Sequence, residues 1–215
     1  MAIQAKICGL STAETVATAV RGGADYVGFV FFPPSPRYVT PVLAGALAKN
    51  VPRHVRKVAV VVDAGDQELA AIRDQIPIDL WQCHGEEDCR RLAAIRQQFG
   101  VPVMKALSVS APRDLDSAEA FEECADMLMF DAKAPEGSVI PGGNARAFDW
   151  SLLAGRGWRR PWMLSGGLTA DNVGEAVRRT GARLVDVSSG VEERRGIKSP
   201  AKIEAFLAAV RHLES

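Results

Sequence analysis

Trp162-Met163-Leu164-Ser165-Gly166-Gly167 is followed by an amphipathic run over Asp171–Thr180 and then by Leu184-Val185-Asp186-Val187-Ser188-Ser189-Gly190. A short apolar run, a glycine break, a helical pattern and a second short apolar run together read as a strand–helix–strand unit. A connection of that length makes the two strands parallel, which a tight hairpin cannot do. The same alternation extends back through the chain. Strands are predicted over Ala5–Cys8, Tyr26–Phe31, Lys57–Val62, Leu80–His84, Val103–Ala106, Met127–Asp131, Trp162–Ser165 and Leu184–Val187. Helical patterns lie between most of them, among them Ala13–Arg21, Gln67–Gln75, Cys89–Phe99, Asp171–Thr180 and Pro200–Leu213. Thr12 and the Asp171-Asn172 pair supply polar groups suited to starting helices. Eight strand-then-helix units predict an α/β protein with a single (β/α)8 TIM barrel over residues 1–215. A doubly wound open sheet is the alternative that periodicity alone does not separate.

Bulk composition narrows the partners. The 215 residues and 47% hydrophobic content suit one large core. Lysine plus arginine equals aspartate plus glutamate at 26 each, so no global field recruits nucleic acid or an acidic membrane. A bound anion must therefore be held locally. The sequence contains no apolar run of transmembrane length, and its beginning reads as a strand rather than a signal peptide, so a cytoplasmic protein is expected. Cys8, Cys83, Cys89 and Cys124 form no CxxC pair, and reduced thiols are expected. A monomer or a homodimer fits a chain of this kind.

Both candidate folds place their chemistry at the C-terminal ends of parallel strands. Those ends are polar here: Cys8, Ser35-Pro36-Arg37, Asp63, His84-Gly85-Glu86, Lys105, Asp131, Ser165-Gly166-Gly167 and Ser188-Ser189-Gly190. Strands often end in polar residues because they end in water, and that accounts for Asp63 and Glu86. Two small-residue ends arriving seventh and eighth are different. Glycines such as Gly166, Gly167 and Gly190 let backbone amides approach an anion, and Ser188 and Ser189 add hydroxyl donors. In barrels these two loops frequently build a phosphate site. Strand alternation puts Lys6 with Cys8 on one face, and Met127, Met129 and Asp131 on one face. Gln82 and His84 also share a face, which turns Trp81 and Cys83 toward the helices. Cys8 by position alone reads as a small buried hydrophobe.

The ordered set of motifs is more specific than any member. Lys6-Ile7-Cys8-Gly9-Leu10, Gly28-Phe29-Val30-Phe31, Ser35-Pro36-Arg37-Tyr38-Val39 and Gln82-Cys83-His84-Gly85-Glu86 come first. Phe130-Asp131, Phe148-Asp149-Trp150, Leu164-Ser165-Gly166-Gly167-Leu168 with Asn172-Val173, Asp186-Val187-Ser188-Ser189-Gly190-Val191-Glu192 and Gly196-Ile197-Lys198 complete it. With these the chain resembles the phosphoribosylanthranilate isomerase family of tryptophan biosynthesis, from about Lys6 to Phe206. The resemblance implies a barrel that uses no metal or organic cofactor and takes a small phosphorylated substrate. It implies an Amadori rearrangement in which Asp131 is the general acid, Cys8 the general base and Arg37 the partner of the anthranilate carboxylate. The phosphate falls to the ends of strands seven and eight, and the loop that includes Gly142 and Gly143 joins the substrate site.

The chemistry sets demands on these groups. A thiol of ordinary pKa near about 8.5 needs a nearby positive charge to serve as a base, and Lys6 and Lys105 are the candidates. A carboxyl with an ordinary pKa near about 3.9 must be raised to serve as an acid at neutral pH. His84 either contacts substrate or caps its strand end. Three departures from the family pattern stand out: Asn144-Ala145 after Gly142-Gly143, Cys83 in place of a leucine, and Ser199 in place of an aspartate. A sister barrel acting on ribulose phosphates or in histidine synthesis, and a phosphosugar-binding barrel without catalysis, share the phosphate ends.

Overall fold

A computed structural model describes residues 2–134, 137–138, 140–143 and 148–214. Eight parallel strands close into a barrel: β1 (Gln4–Cys8), β2 (Tyr26–Val30), β3 (Arg56–Val61), β4 (Leu80–Cys83), β5 (Val103–Val109), β6 (Met127–Ala132), β7 (Trp162–Leu164) and β8 (Leu184–Val187). Closure comes from β1 pairing with β8 in the register Lys6↔Asp186 and Ile7↔Val187. The open-sheet alternative is thereby excluded. Around the barrel lie α1 (Ala13–Arg21), α2 (Pro41–Ala48), α3 (Asp66–Gln75), α4 (Cys89–Phe99), α5 (Ala118–Glu122), α6 (Val173–Thr180) and α7 (Pro200–Arg211). A two-stranded hairpin, β9 (Glu192–Arg194) with β10 (Ile197–Lys198), follows β8.

The eightfold alternation is incomplete at one place. Between β6 and β7 the described residues form only a 3-10 turn, Trp150–Leu153, opened by the Asp149 carboxylate accepting from the Ser151 amide. The helix starts read from the sequence take two different forms. Thr12 caps α1 by accepting from the Thr15 amide. Asn172 turns back instead, donating to the Gly167 carbonyl and accepting from the Thr169 amide, so it braces the loop after β7. Ser199 caps α7 through the Lys202 amide, a task an aspartate performs equally well.

Strand alternation sorts the core. Tyr26, Val58, Leu80, Met104, Met127, Met129 and Met163 fill the barrel interior. Trp81 and Cys83 face outward into the helix layer, where Trp81 meets Phe99 edge-on at 5.6 Å. The expectation of four reduced thiols is corrected in part: Cys89 and Cys124 form a disulfide with Cα atoms 5.4 Å apart, while Cys8 and Cys83 are free. Cys89 opens α4 and Cys124 follows α5, so packing of neighbouring outer elements brings together residues 35 apart in sequence. No helix is long and apolar enough to cross a membrane among the described residues.

Candidate active site

The ends of the strands surround one cavity. Cys8, Arg37, His84, Asp131, Gly142, Gly143, Gly166, Gly167, Ser188, Ser189 and Gly190 all line it. Every predicted site residue therefore reaches the same wall. Asn144, Ala145 and Arg146 lie outside the described residues.

The Asp131 side is tightly built. One carboxylate oxygen accepts from the Ala132 amide at 2.8 Å, and the other lies 3.4 Å from His84 Nε2. Gln82 Nε2 sits 3.2 Å from His84 Nδ1 and 3.3 Å from Met129 Sδ. The ring thus stands between Gln82 on its Nδ1 side and Asp131 on its Nε2 side. A Cβ at Gly142 would stand 2.5 Å from the Asp131 carboxylate and 2.7 Å from the His84 ring, so only glycine fits over this pair. Among the described residues Gln82 Oε1 and His84 Nε2 have no hydrogen-bond partner. Both residues line the cavity, and each keeps a buried polar atom that the protein leaves unsatisfied. His84 is thus a cavity group rather than a backbone cap. Gln82 belongs beside it, signalled by its place on the same strand face.

Arg37 is held from three directions. Its Nε and Nη2 donate to the two Glu192 oxygens at 2.6 and 3.0 Å, and Nη2 also donates to the Gly143 carbonyl. Gly9 and Gly143, both at positive φ, lie against its side chain; a Cβ on either would come within 2.8 Å of it. The paired edge of the guanidinium is therefore spent on Glu192, and Nη1, with no partner among the described residues, is the part left for a ligand.

Glu192 and Lys198 were not singled out by sequence reasoning. They come from the hairpin after β8, and Lys198 Nζ donates to Glu192 at 2.9 Å and to the Ser188 carbonyl and hydroxyl. Burial raises the Glu192 pKa, but Arg37 and Lys198 outweigh it and hold the carboxyl below the usual glutamate range. Burial pulls Lys198 down, more than Glu192 restores. Removing one member of such a buried cluster leaves the others uncompensated. Glu192→Gln is therefore expected to cost about 3 kcal/mol at neutral pH in denaturant unfolding. A depressed carboxyl pKa stabilises the fold above the unfolded value and loses that contribution as pH falls through the folded one. The gap between wild type and Glu192→Gln should thus close as pH drops below about 4.3. A gap that stays constant with pH places the effect elsewhere.

Lys105 does not face Cys8. Met104 and Ala106 take the interior positions on β5, so Lys105 points outward, where it donates to Glu87 at 2.8 Å. Glu87 in turn accepts from the Asp63 and Gly85 amides, and Asp63, at φ 49°, accepts from the Glu86 amide. The group fixes the loops after β3 and β4.

The loops after β7 and β8 are open to the cavity. Gly166 and Gly167 have φ of 87° and 67°, and a Cβ at Gly166 would meet the Ala132 amide nitrogen at 2.6 Å. A Cβ at Gly190 would collide with the Leu168 carbonyl, so the two loops pack glycine to backbone. Ser188 Oγ donates to the Cys8 carbonyl at 3.2 Å, which ties the end of β8 to the end of β1.

The family model for N-(5'-phosphoribosyl)anthranilate isomerase matches residues 5–209. The isomerase of Rhodospirillum centenum is 54% identical over 214 residues, covering 99% of this chain and all of that protein. The solved phosphoribosylanthranilate isomerase of Thermotoga maritima is 34% identical, with a TM-score of 0.85 over 98% of this chain and 99% of that one. Another solved phosphoribosylanthranilate isomerase, in complex with reduced 1-(o-carboxyphenylamino)-1-deoxyribulose 5-phosphate, is 32% identical at the same TM-score, over 98% of this chain and 99% of that one. The motifs, the closed barrel and these likenesses agree along almost the whole sequence, and the chain belongs to the phosphoribosylanthranilate isomerase family.

Proposed function

We propose that this cavity rearranges N-(5-phosphoribosyl)anthranilate to 1-(2-carboxyphenylamino)-1-deoxyribulose 5-phosphate, with Asp131 as general acid and Cys8 as general base. The observation that carries this is the meeting of Cys8 and Asp131, from β1 and β6, in one cavity with the open ends of β7 and β8. Asp131 gives a proton to the ribose ring oxygen, the C1′–O bond breaks and a protonated Schiff base forms. The Cys8 thiolate removes the C2′ proton, the electron pair moves toward nitrogen and an enolamine results. Tautomerisation to the ketone takes up a proton at C1′ and gives one up from the C2′ hydroxyl, so atoms and charge balance over the cycle. Arg37 Nη1 meets the anthranilate carboxylate, Gln82 and His84 offer further polar contacts, and Gly166, Gly167, Ser188, Ser189 and Gly190 hold the phosphate. A relative solved with a phosphorylated product analogue supports a ligand of this class.

Loss of the substrate's anthranilate fluorescence tests the reading. Purified protein is expected to accelerate the loss well beyond the spontaneous breakdown of the substrate, with the ketose as product. An unaccelerated signal at micromolar protein rejects it.

A further inference from the structure

Lys6 stands two residues before Cys8 on β1, fully buried and paired in register with Tyr26 of β2. An ammonium group there is costly to bury even when paired, and apolar residues of the same volume usually replace such a pair without loss. The pairing is nonetheless complete. Lys6 Nζ donates to Asp186 Oδ1 at 2.7 Å, and Asp186 Oδ2 accepts from Ser165 Oγ at 3.0 Å. The two residues are direct neighbours in the register that closes the barrel. Gly28, beside them on β2, shows where Lys6 leads. A Cβ at that position would lie 2.9 Å from Cys8 Sγ and 3.2 Å from Lys6 Cε, so both side chains close over the same glycine.

We propose that Lys6, anchored by Asp186, is a positioning residue for the reaction: it is the fixed positive charge beside which the Cys8 thiol gives up its proton. The proposal rests on Cys8 being the base. The charged groups facing Cys8 are Lys6 on its own strand, Asp186 on β8 and Lys198 on β10. Burial pushes the Cys8 thiol up, Lys6 and Lys198 pull it down, and Asp186 adds to the rise; the net position is above an ordinary thiol. Burial also opposes the Lys6 charge, but Asp186 and Cys8 outweigh it and keep lysine protonated above its usual range. Lys6 is the larger of the two positive charges that offset the cost of burying the thiolate. Asp186, with both oxygens engaged, prevents the ammonium from swinging away.

The test is the pH dependence of Cys8 alkylation by iodoacetamide, which reads thiol ionisation without reference to turnover. A Cys83→Ala background removes the second free thiol, itself pushed up to about 12 by burial. Lys6→Met is expected to move the alkylation midpoint upward by about one pH unit or more, and to lower kcat at neutral pH by about tenfold or more, with recovery as pH rises. Should the lone Asp186 carboxylate prevent folding, Lys6→Met with Asp186→Asn leaves no unpaired charge; its midpoint is still expected to rise, by less than in Lys6→Met alone, because the smaller opposing push of Asp186 is removed as well. An unchanged midpoint in a folded variant overturns the proposal, since a merely structural pair leaves thiol ionisation where it was. Failure of the Cys8 reading is separate, because it is seen as turnover surviving in Cys8→Ser whatever the alkylation midpoint does.

Discussion

Cys8→Ser is expected to lower kcat by about 10²–10⁴-fold, the usual contribution of a positioned acid or base. Serine keeps the size and polarity of the side chain, but its hydroxyl is far too weak an acid to exist as the alkoxide a base would require. Cys8 is nearly buried and touches the space above Gly28, where the smaller oxygen fits without displacement. Thermal stability and affinity for a product analogue should therefore remain near wild type while turnover collapses. The two quantities must be measured together. Lost binding alongside lost turnover assigns Cys8 to packing, and retained turnover moves the base to another group.

Asp131→Asn is expected to have an effect of the same size, about 10²–10⁴-fold on kcat. Asparagine preserves the oxygen that accepts from the Ala132 amide and the bulk that Gly142 lies over. It removes only the capacity to give and retake a proton. The substitution leaves KM close to wild type if Asp131 acts on the ring oxygen and not as a binding group. Activity within tenfold of wild type would show that the proton comes from elsewhere, and His84, with Nε2 3.4 Å from Asp131, is then the group to replace.

The barrel was legible because its signals are local and repeated. Each strand is a short, largely apolar run with small or polar residues close after it, and parity along β1, β4 and β6 correctly divided Lys6, Cys8, Gln82, His84 and Asp131 from Trp81 and Cys83. The same rule applied to Met104-Lys105-Ala106 turns Lys105 outward; it was nominated for its charge, which says nothing about direction. What stayed hidden depends on distance along the chain. Nothing near Lys6 indicates Asp186, because only closure of β1 on β8 sets that register. Nothing near Arg37 indicates Glu192, which arrives on a hairpin 155 residues later. The Cys89–Cys124 bond likewise follows from which outer elements become neighbours, and Asp149 starts a 3-10 turn where repetition argued for a helix.

The seam between β1 and β8 also bears on assembly of the molecule. Lys6 to Asp186 and Ser188 to the Cys8 carbonyl each span 180 residues. Contacts of such separation close only after much chain entropy has been lost, and so tend to form late in folding. A molecule with β8 undocked lacks the partner of Lys6, the brace on Arg37 and one of the two glycine-containing loops that line the cavity. Docking of the last strand and the hairpin after it therefore brings the partner of Lys6 and the brace on Arg37 into place together.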